Sequence, residues 1–174
     1  MVGSDLFVSL LQRLRAYFVL RRIPYVVRQY GRTECGLACL SMIAAAWGLD
    51  VPIETLRRTL QVGRDGLSSD VMRKWLAANG FVVTIERKSV YEWKNVDSAM
   101  RVCFMAGSHY LVVEGYDKES VYCVDPASGR IRLSVQKFQE RFADYCLIVE
   151  PCRLTRKRKS LSKLHAVHRI VFSV

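Results

Sequence analysis

The sequence lacks the segments that identify an ATPase, an integral membrane protein or a secreted protein. The loop Gly63-Arg64-Asp65-Gly66 has neither the spacing nor the Lys-Ser/Thr ending of a phosphate-binding loop, so nucleotide hydrolysis is not expected. No run of 18 uncharged apolar residues predicts a transmembrane helix. Near the N-terminus, Arg13 and Arg15 interrupt the apolar stretch and no small-residue cleavage site follows. A signal peptide is therefore not predicted.

Acidic residues are almost absent from both ends of the chain. Residues 1–28 hold five arginines and one aspartate, residues 153–174 hold seven basic residues and no acid, and residues 29–152 hold fifteen residues of each sign. The net charge of +11 therefore lies in the two ends. Because the middle is neutral, a nucleic-acid partner is not expected. The basic ends favour contact with an anionic surface, such as a membrane.

Histidine is scarce, whereas cysteine is not. Of the three histidines, only His109 lies in the neutral middle, since His165 and His168 belong to the basic C-terminal end. The six cysteines do not indicate a disulfide scaffold, because 174 residues of which 51% are hydrophobic can bury a core without one. We expect reduced thiols, as in a cytosolic protein. Four of them lie inside apolar runs and are interpreted as small core residues: Cys39, Cys103, Cys123 and Cys146.

The charge distribution divides the chain into three segments. Residues 1–23 are predicted to form a basic amphipathic helix, residues 24–151 a folded domain, and residues 152–174 a basic tail or connector. Two interpretations of the apolar stripe on the first helix remain open. It packs on its own domain or on a neighbouring one, or it lies on a membrane surface.

Helical patterns come first along the domain and strand patterns follow. The segment from Cys35 to Trp47 is rich in Ala, Leu and Met and stops at Gly48, which predicts a buried helix. Two more helices are predicted, from Pro52 to about residue 60 and from Ser68 or Ser69 to about residue 79. The predicted strands are 81–86, 102–105, 110–115, 121–124, 130–133 and 146–149, with a helix across about 135–142. This order predicts an α+β fold with a mainly antiparallel sheet.

Cys35 is a candidate nucleophile because of its place at the start of the first buried helix. Backbone N–H groups at a helix N-terminus favour negative charge, so a thiol there ionises below its free pKa of about 8.5. Gly31 and Gly36 beside it allow a substrate backbone to come close. Taken alone, the position is also compatible with a buried structural cysteine.

His109 and Asp125 are candidate partners of that thiol. The two residues are sixteen positions apart, and the midpoint of the interval falls at Asp117, in a turn-like segment. A hairpin folded there brings both to the same end of a two-stranded ribbon, where a carboxylate can orient an imidazole. The alternative is that Asp125 merely caps the turn that it forms with Pro126.

Gln29 completes a set with one residue for each role of a cysteine hydrolase. It lies six residues before Cys35 and is a candidate oxyanion donor, with the Cys35 backbone N–H as the second donor. A metal site built from Cys35, Cys39, His109 and Cys123 is the competing interpretation. No second tight Cys/His pair supports it, so no metal is expected.

Three separated blocks resemble one family. They are Gln29-Tyr-Gly-Arg-Thr-Glu-Cys35-Gly-Leu-Ala-Cys-Leu-Ser-Met42, Ser108-His109-Tyr-Leu-Val-Val113 and Val124-Asp125-Pro-Ala-Ser-Gly129. In order and spacing they resemble the bacteriocin-processing peptidase domains, which are papain-like cysteine peptidases usually fused to bacterial peptide-exporting ABC transporters. The resemblance covers about residues 24–150. It implies a papain-like fold, with Cys35 as nucleophile, His109 as general base, Asp125 as its orienting partner and Gln29 in the oxyanion hole.

The reaction implied by the resemblance is removal of a leader peptide after a double-glycine-type motif. The implied partners are the precursor peptide and the membrane and ATPase parts of an exporter, on the cytoplasmic side of the bacterial inner membrane, or the cytoplasm for a stand-alone peptidase. No cofactor is expected in this chain, and ATP would serve only an ATPase domain elsewhere. Two alternatives stay open: a non-catalytic leader-docking domain and a papain-like acyl or amide transferase.

Overall fold

The computed structural model describes residues 22–93 and 99–152, so the predicted N-terminal helix and the C-terminal tail lie almost entirely outside the described residues. Three helices come first, and a mainly strand-forming region follows them, which confirms the α+β fold. The elements are α1 (Cys35–Ala46), α2 (Ile53–Thr59), α3 (Ser69–Ala78), β1 (Phe81–Glu86), a 3₁₀ turn (Val90–Glu92), β2 (Met100–Met105), β3 (His109–Tyr116), β4 (Ser120–Asp125), β5 (Gly129–Ser134), α4 (Val135–Gln139) and β6 (Phe142–Pro151). Within the described residues, no helix is long and apolar enough to cross a membrane.

The six strands form one antiparallel sheet in the order β1-β6-β2-β3-β4-β5. The last strand in sequence, β6, lies between β1 and β2, whereas β2 to β5 are joined in sequence order. Each face of the sheet carries its own apolar cluster. One cluster includes the buried residues of α1, α2 and α3, and the other includes Trp93, Phe138 and Phe142.

Helix α1 is buried along its length because its sequence has no charged side chain to keep in water. All of its residues except Ala45 are buried, including Leu37, Leu40 and Met42. The helix ends at Ala46, and two residues later Gly48 has a φ of 78°, in the left-handed region that glycine adopts without strain. This burial fixes the first residue of the helix, Cys35, against the sheet.

Helix α3 forms as its caps predict. The Ser68 side chain accepts a hydrogen bond from the Val71 N–H at 3.3 Å, and Asn79 ends the helix. Met72 and Leu76, one turn apart, are fully buried against the same cluster as α1. Val71 and Trp75 are partly buried and pack against the same cluster.

The prediction for the C-terminal part of the domain is wrong in one place. The helix expected across about 135–142 ends at Gln139, and the strand expected from residue 146 begins at Phe142. Phe138 and Phe142 have the four-residue spacing of one helix face, but Phe142 pairs with Met105 of β2 and packs its ring 5.4 Å from that of Trp93. Sheet pairing and burial therefore outweigh the local helical pattern.

Candidate active site

Cys35 is the first residue of α1 and is only 3% exposed. Its sulfur is hydrogen bonded to the His109 side chain and to the backbone N–H groups of Tyr110 and Gly36. Burial by itself raises the pKa of the thiol, but these hydrogen bonds outweigh it and hold the pKa below that of an ordinary cysteine. The helix N-terminus predicted from the sequence thus supplies one donor to the sulfur, the Gly36 N–H, and β3 supplies the other two.

His109 and Asp125 lie together at one end of the β3–β4 hairpin. His109 begins β3 and Asp125 ends β4, and the turn between the strands runs through Asp117. The His109 Nε2 atom lies 2.8 Å from Asp125 Oδ1. Because Nε2 faces the carboxylate, the second ring nitrogen, Nδ1, is the one that faces Cys35. The hairpin prediction for these two residues is confirmed.

Asp125 caps its turn as well as contacting His109, so the two roles do not exclude each other. Its Oδ1 accepts a hydrogen bond from the Ala127 N–H at 2.7 Å, and the Ser128 N–H donates to the same carboxylate. Although burial raises the pKa of this carboxyl, the bonds from His109, Ala127 and Ser128 lower it below its usual value. One carboxylate therefore shapes the turn and holds the imidazole.

The same contacts raise the pKa of His109 to about 9. The largest cause is the hydrogen bond to Asp125, followed by the one to Cys35, and both exceed the opposing effect of burial. A lowered thiol pKa beside a raised imidazole pKa favours the thiolate–imidazolium pair at neutral pH. This is the charge state in which a cysteine attacks a carbonyl carbon without first losing a proton.

We predict that Asp125→Asn lowers the His109 pKa, because it replaces the charged carboxylate whose hydrogen bond is the largest cause of the raised value and whose charge adds to it. The midpoint for the His109 imidazole should fall from about 9 by about 1–3 pH units. Titration of the imidazole ring protons by NMR measures it. Asp70→Asn, which removes a surface carboxylate that pairs with Arg73 and Lys74 on α3, is the control and should leave the midpoint in place. An unchanged midpoint in Asp125→Asn would contradict the assigned role.

Gln29 lies beside the Asp125 turn. Its backbone N–H donates to the Pro126 carbonyl at 3.2 Å, and its side-chain Nε2 donates to the Gly31 carbonyl at 3.2 Å. An amide nitrogen carries two N–H groups, so one remains for an oxyanion. The first N–H groups of α1, including that of Cys35, have no partner within the helix and are the second source of donors. The oxyanion role of Gln29 stays a prediction.

Four of the other five thiols pack in the core. Cys39, one helical turn from Cys35, is fully buried, and this burial raises its pKa well above that of a free thiol. Cys103 and Cys146 face each other across β2 and β6, and Cys123 lies in the same apolar cluster. No group of three or more His, Cys, Asp or Glu side chains within residues 22–93 and 99–152 is arranged to hold a metal ion.

Two residues next to the site were not found by sequence reasoning. Glu34 directly precedes Cys35, and its carboxylate accepts hydrogen bonds from the Tyr30 and Gly31 N–H groups while pairing with Arg57 of α2. The available signal was weak: an acidic residue at the end of a turn, with its cationic partner 23 positions away. Only the folded chain brings the guanidinium to the carboxylate.

Comparison with known proteins gives a family match that covers most of the chain. A sequence model described as the Peptidase C39 family matches residues 24–153. The lactococcin-G-processing and transport ATP-binding protein LagD of Lactococcus lactis subsp. lactis is 25% identical over 131 residues, which are 72% of this chain and 19% of that protein. The chain thus spans about a fifth of the length of this curated relative.

Two solved structures share the fold. A double glycine motif protease from an AMS/PCAT transporter, solved in complex with the leader peptide, is 26% identical with a TM-score of 0.66, covering 72% of this chain and 90% of that one. The peptidase domain of Streptococcus ComA, a bifunctional ABC transporter, is 21% identical with a TM-score of 0.65, covering 73% and 98%. These matches confirm the papain-like fold that the three sequence blocks implied.

Proposed function

The chain belongs to the peptidase C39 family of cysteine peptidases, and from this premise we propose that it removes the leader peptide from a bacteriocin or a similar secreted peptide. Cleavage follows a double-glycine-type motif. The observation that carries the proposal is the continuous hydrogen-bonded series from Cys35 through His109 to Asp125. A leader peptide is the proposed substrate because one solved structure with this fold is a double glycine motif protease in complex with the leader peptide, and the name of LagD states that it processes lactococcin G.

The first half of the reaction forms an acyl-enzyme. The Cys35 thiolate attacks the carbonyl carbon before the scissile bond, and the carbonyl π electrons move to the oxygen. The Gln29 side-chain N–H and the Cys35 backbone N–H stabilise this oxyanion. When the C–N bond breaks, the His109 imidazolium gives its proton to the leaving amine. The leader remains on Cys35 as a thioester.

The second half releases the leader. The imidazole of His109, now neutral, takes a proton from a water molecule, whose oxygen attacks the thioester carbonyl. The C–S bond breaks, the leader leaves as a carboxylic acid and the thiolate–imidazolium pair is restored. Asp125 holds the ring orientation and stabilises the imidazolium throughout. Because side chains and water fill every role, we propose that this chain needs no cofactor for bond cleavage.

Mass spectrometry of a synthetic precursor tests the function. We expect the protein to cut a precursor with a Gly-Gly junction into two fragments whose masses together exceed that of the precursor by one water. A precursor with Leu-Leu at the junction is the matched control and should stay whole. A Gly-Gly precursor that is bound yet stays whole over hours would instead indicate a docking domain. A product that incorporates an added amine in place of water would indicate a transferase.

We propose that this peptidase acts beside the membrane and ATPase parts of an ABC exporter, so that cleavage accompanies export. The names of the relatives, which combine processing with transport, support this association. The basic segments at the two ends lie largely outside the described residues, and their contact with an anionic membrane surface stays a prediction from charge.

A further inference from the structure

The carboxylate of Glu34 stabilises the turn that precedes Cys35. Its Oε2 atom accepts hydrogen bonds from the backbone N–H of Tyr30 at 2.9 Å and from that of Gly31 at 3.0 Å. The backbone N–H of Glu34 in turn donates to the Gly31 carbonyl at 3.2 Å and closes the turn. The side chain is only 14% exposed.

The other oxygen of the same carboxylate binds a helix that follows later in the sequence. Glu34 Oε1 lies 2.7 Å from both Nε and Nη2 of Arg57, a residue of α2. Thus Oε1 pairs with the guanidinium, and Oε2 accepts the hydrogen bonds from the turn. A charged carboxylate suits both tasks, because an acceptor that carries charge forms the stronger hydrogen bonds.

The same turn also binds the side chain of Gln29. Gly31, whose N–H is bound by Glu34, offers its carbonyl to Gln29 Nε2 at 3.2 Å. The position of the Gly31 peptide therefore sets where the amide of Gln29 lies. On its other side, Gln29 is held through its backbone N–H by the Pro126 carbonyl. The backbone of Gln29 is therefore held by the Asp125 turn, and its side-chain amide is held by the turn that Glu34 stabilises.

We propose that Glu34 and Arg57 are positioning residues for the oxyanion hole: they hold the 29–34 turn so that the Gln29 amide meets the oxyanion at Cys35. This rests on the proposed peptidase function. The pair does not contact the sulfur or the imidazole, so the thiolate–imidazolium state forms without it. Its contribution is realised when negative charge develops on the carbonyl oxygen.

Steady-state kinetics on the full chain tests the proposal with Glu34→Gln. The glutamine keeps the shape of the side chain, but its NH₂ group cannot accept hydrogen bonds. This group faces either the N–H groups of the turn or the guanidinium of Arg57, so one of the two sets of contacts is lost. We expect kcat to fall by about 10–100-fold, below the effect of deleting an oxyanion donor outright. KM should change less than about twofold and the pH profile should keep its position, because only transition-state binding is lost.

Arg57 supplies the second variant. Arg57→Met should lower kcat in the same way, and Arg57→Lys should restore part of it, because lysine keeps the charge but loses the forked geometry. Asp70→Asn, which breaks the exposed pairs of Asp70 with Arg73 and Lys74 on α3, is the matched control and should leave kcat unchanged. A loss of kcat in the Arg57→Met variant that Arg57→Lys does not reduce would contradict the proposal.

A pair of inhibitors separates oxyanion stabilisation from general damage. A leader-derived peptide aldehyde forms a thiohemiacetal with Cys35, whereas the corresponding peptide alcohol binds without bond formation. Glu34→Gln should weaken binding of the aldehyde by about tenfold or more and binding of the alcohol by less than about twofold. Equal weakening of both would overturn the proposal. Failure of the wild-type protein to cleave any Gly-Gly precursor would instead overturn the proposed function.

Discussion

Replacing Cys35 by alanine will abolish leader cleavage while leaving the fold intact. The side chain supplies the sulfur that forms the acyl-enzyme, so its loss removes the covalent route entirely. Deleting the nucleophile of a comparable hydrolase lowers kcat by about 10⁶-fold, and we expect at least about 10⁴-fold here. Cleavage of the Gly-Gly precursor, followed by mass spectrometry, measures the residual rate.

Cys39 provides a matched control for this substitution. It lies one turn further along α1, is fully buried and has no contact with His109 among the hydrogen bonds of the site. Cys39→Ala should retain cleavage and lower the free energy of unfolding by about 1 kcal/mol, as for loss of a small buried group. If Cys35→Ala cleaves as fast as the wild-type protein, the acyl-enzyme mechanism is wrong.

The thiolate of Cys35 should make it the most reactive cysteine of the protein at pH 6. A free thiol with a pKa of about 8.5 is about 0.3% ionised at that pH. In the folded protein the pKa of Cys35 is lowered and that of His109 is raised to about 9, so both groups favour the ion pair. Iodoacetamide should therefore alkylate Cys35 at pH 6 at least about tenfold faster than a free thiol.

Removing the imidazole should abolish this reactivity. In His109→Ala, the burial that raises the thiol pKa is no longer offset by the imidazole, so alkylation at pH 6 should fall to or below the rate of an ordinary thiol and recover only at alkaline pH. Peptide mapping by mass spectrometry resolves the individual cysteines. Cys152, which is only partly buried, serves as the reference thiol in the same sample. Equal reaction of Cys35 and Cys152 at pH 6 would contradict the ion pair.

Local sequence patterns predicted most of the secondary structure, because the spacing of apolar residues along a helix or strand reflects which of its faces is buried. Helix α3 carries its capping serine and its two buried residues at helical spacing, and β1 was predicted with its observed ends, Phe81 and Glu86. The prediction was wrong at Phe138 and Phe142. Their four-residue spacing fits two neighbours on one helix face, but it is equally compatible with one residue in a helix and the other in the strand that follows. The pairing of Phe142 with Met105 places Phe142 in a strand, and the residues near Phe142 in the sequence do not indicate this partner.

For the site, the sequence by itself identified the residues that we propose carry the chemistry. The placement of Cys35 at a helix start and the symmetric spacing of His109 and Asp125 about a turn are local facts, and a helix N-terminus and a hairpin have fixed geometries. The tertiary structure decided how these parts meet. The insertion of β6 between β1 and β2, the bond from Cys35 to His109 and the Glu34–Arg57 pair all join segments distant in sequence. Such contacts depend on burial against a common sheet, which periodicity does not encode.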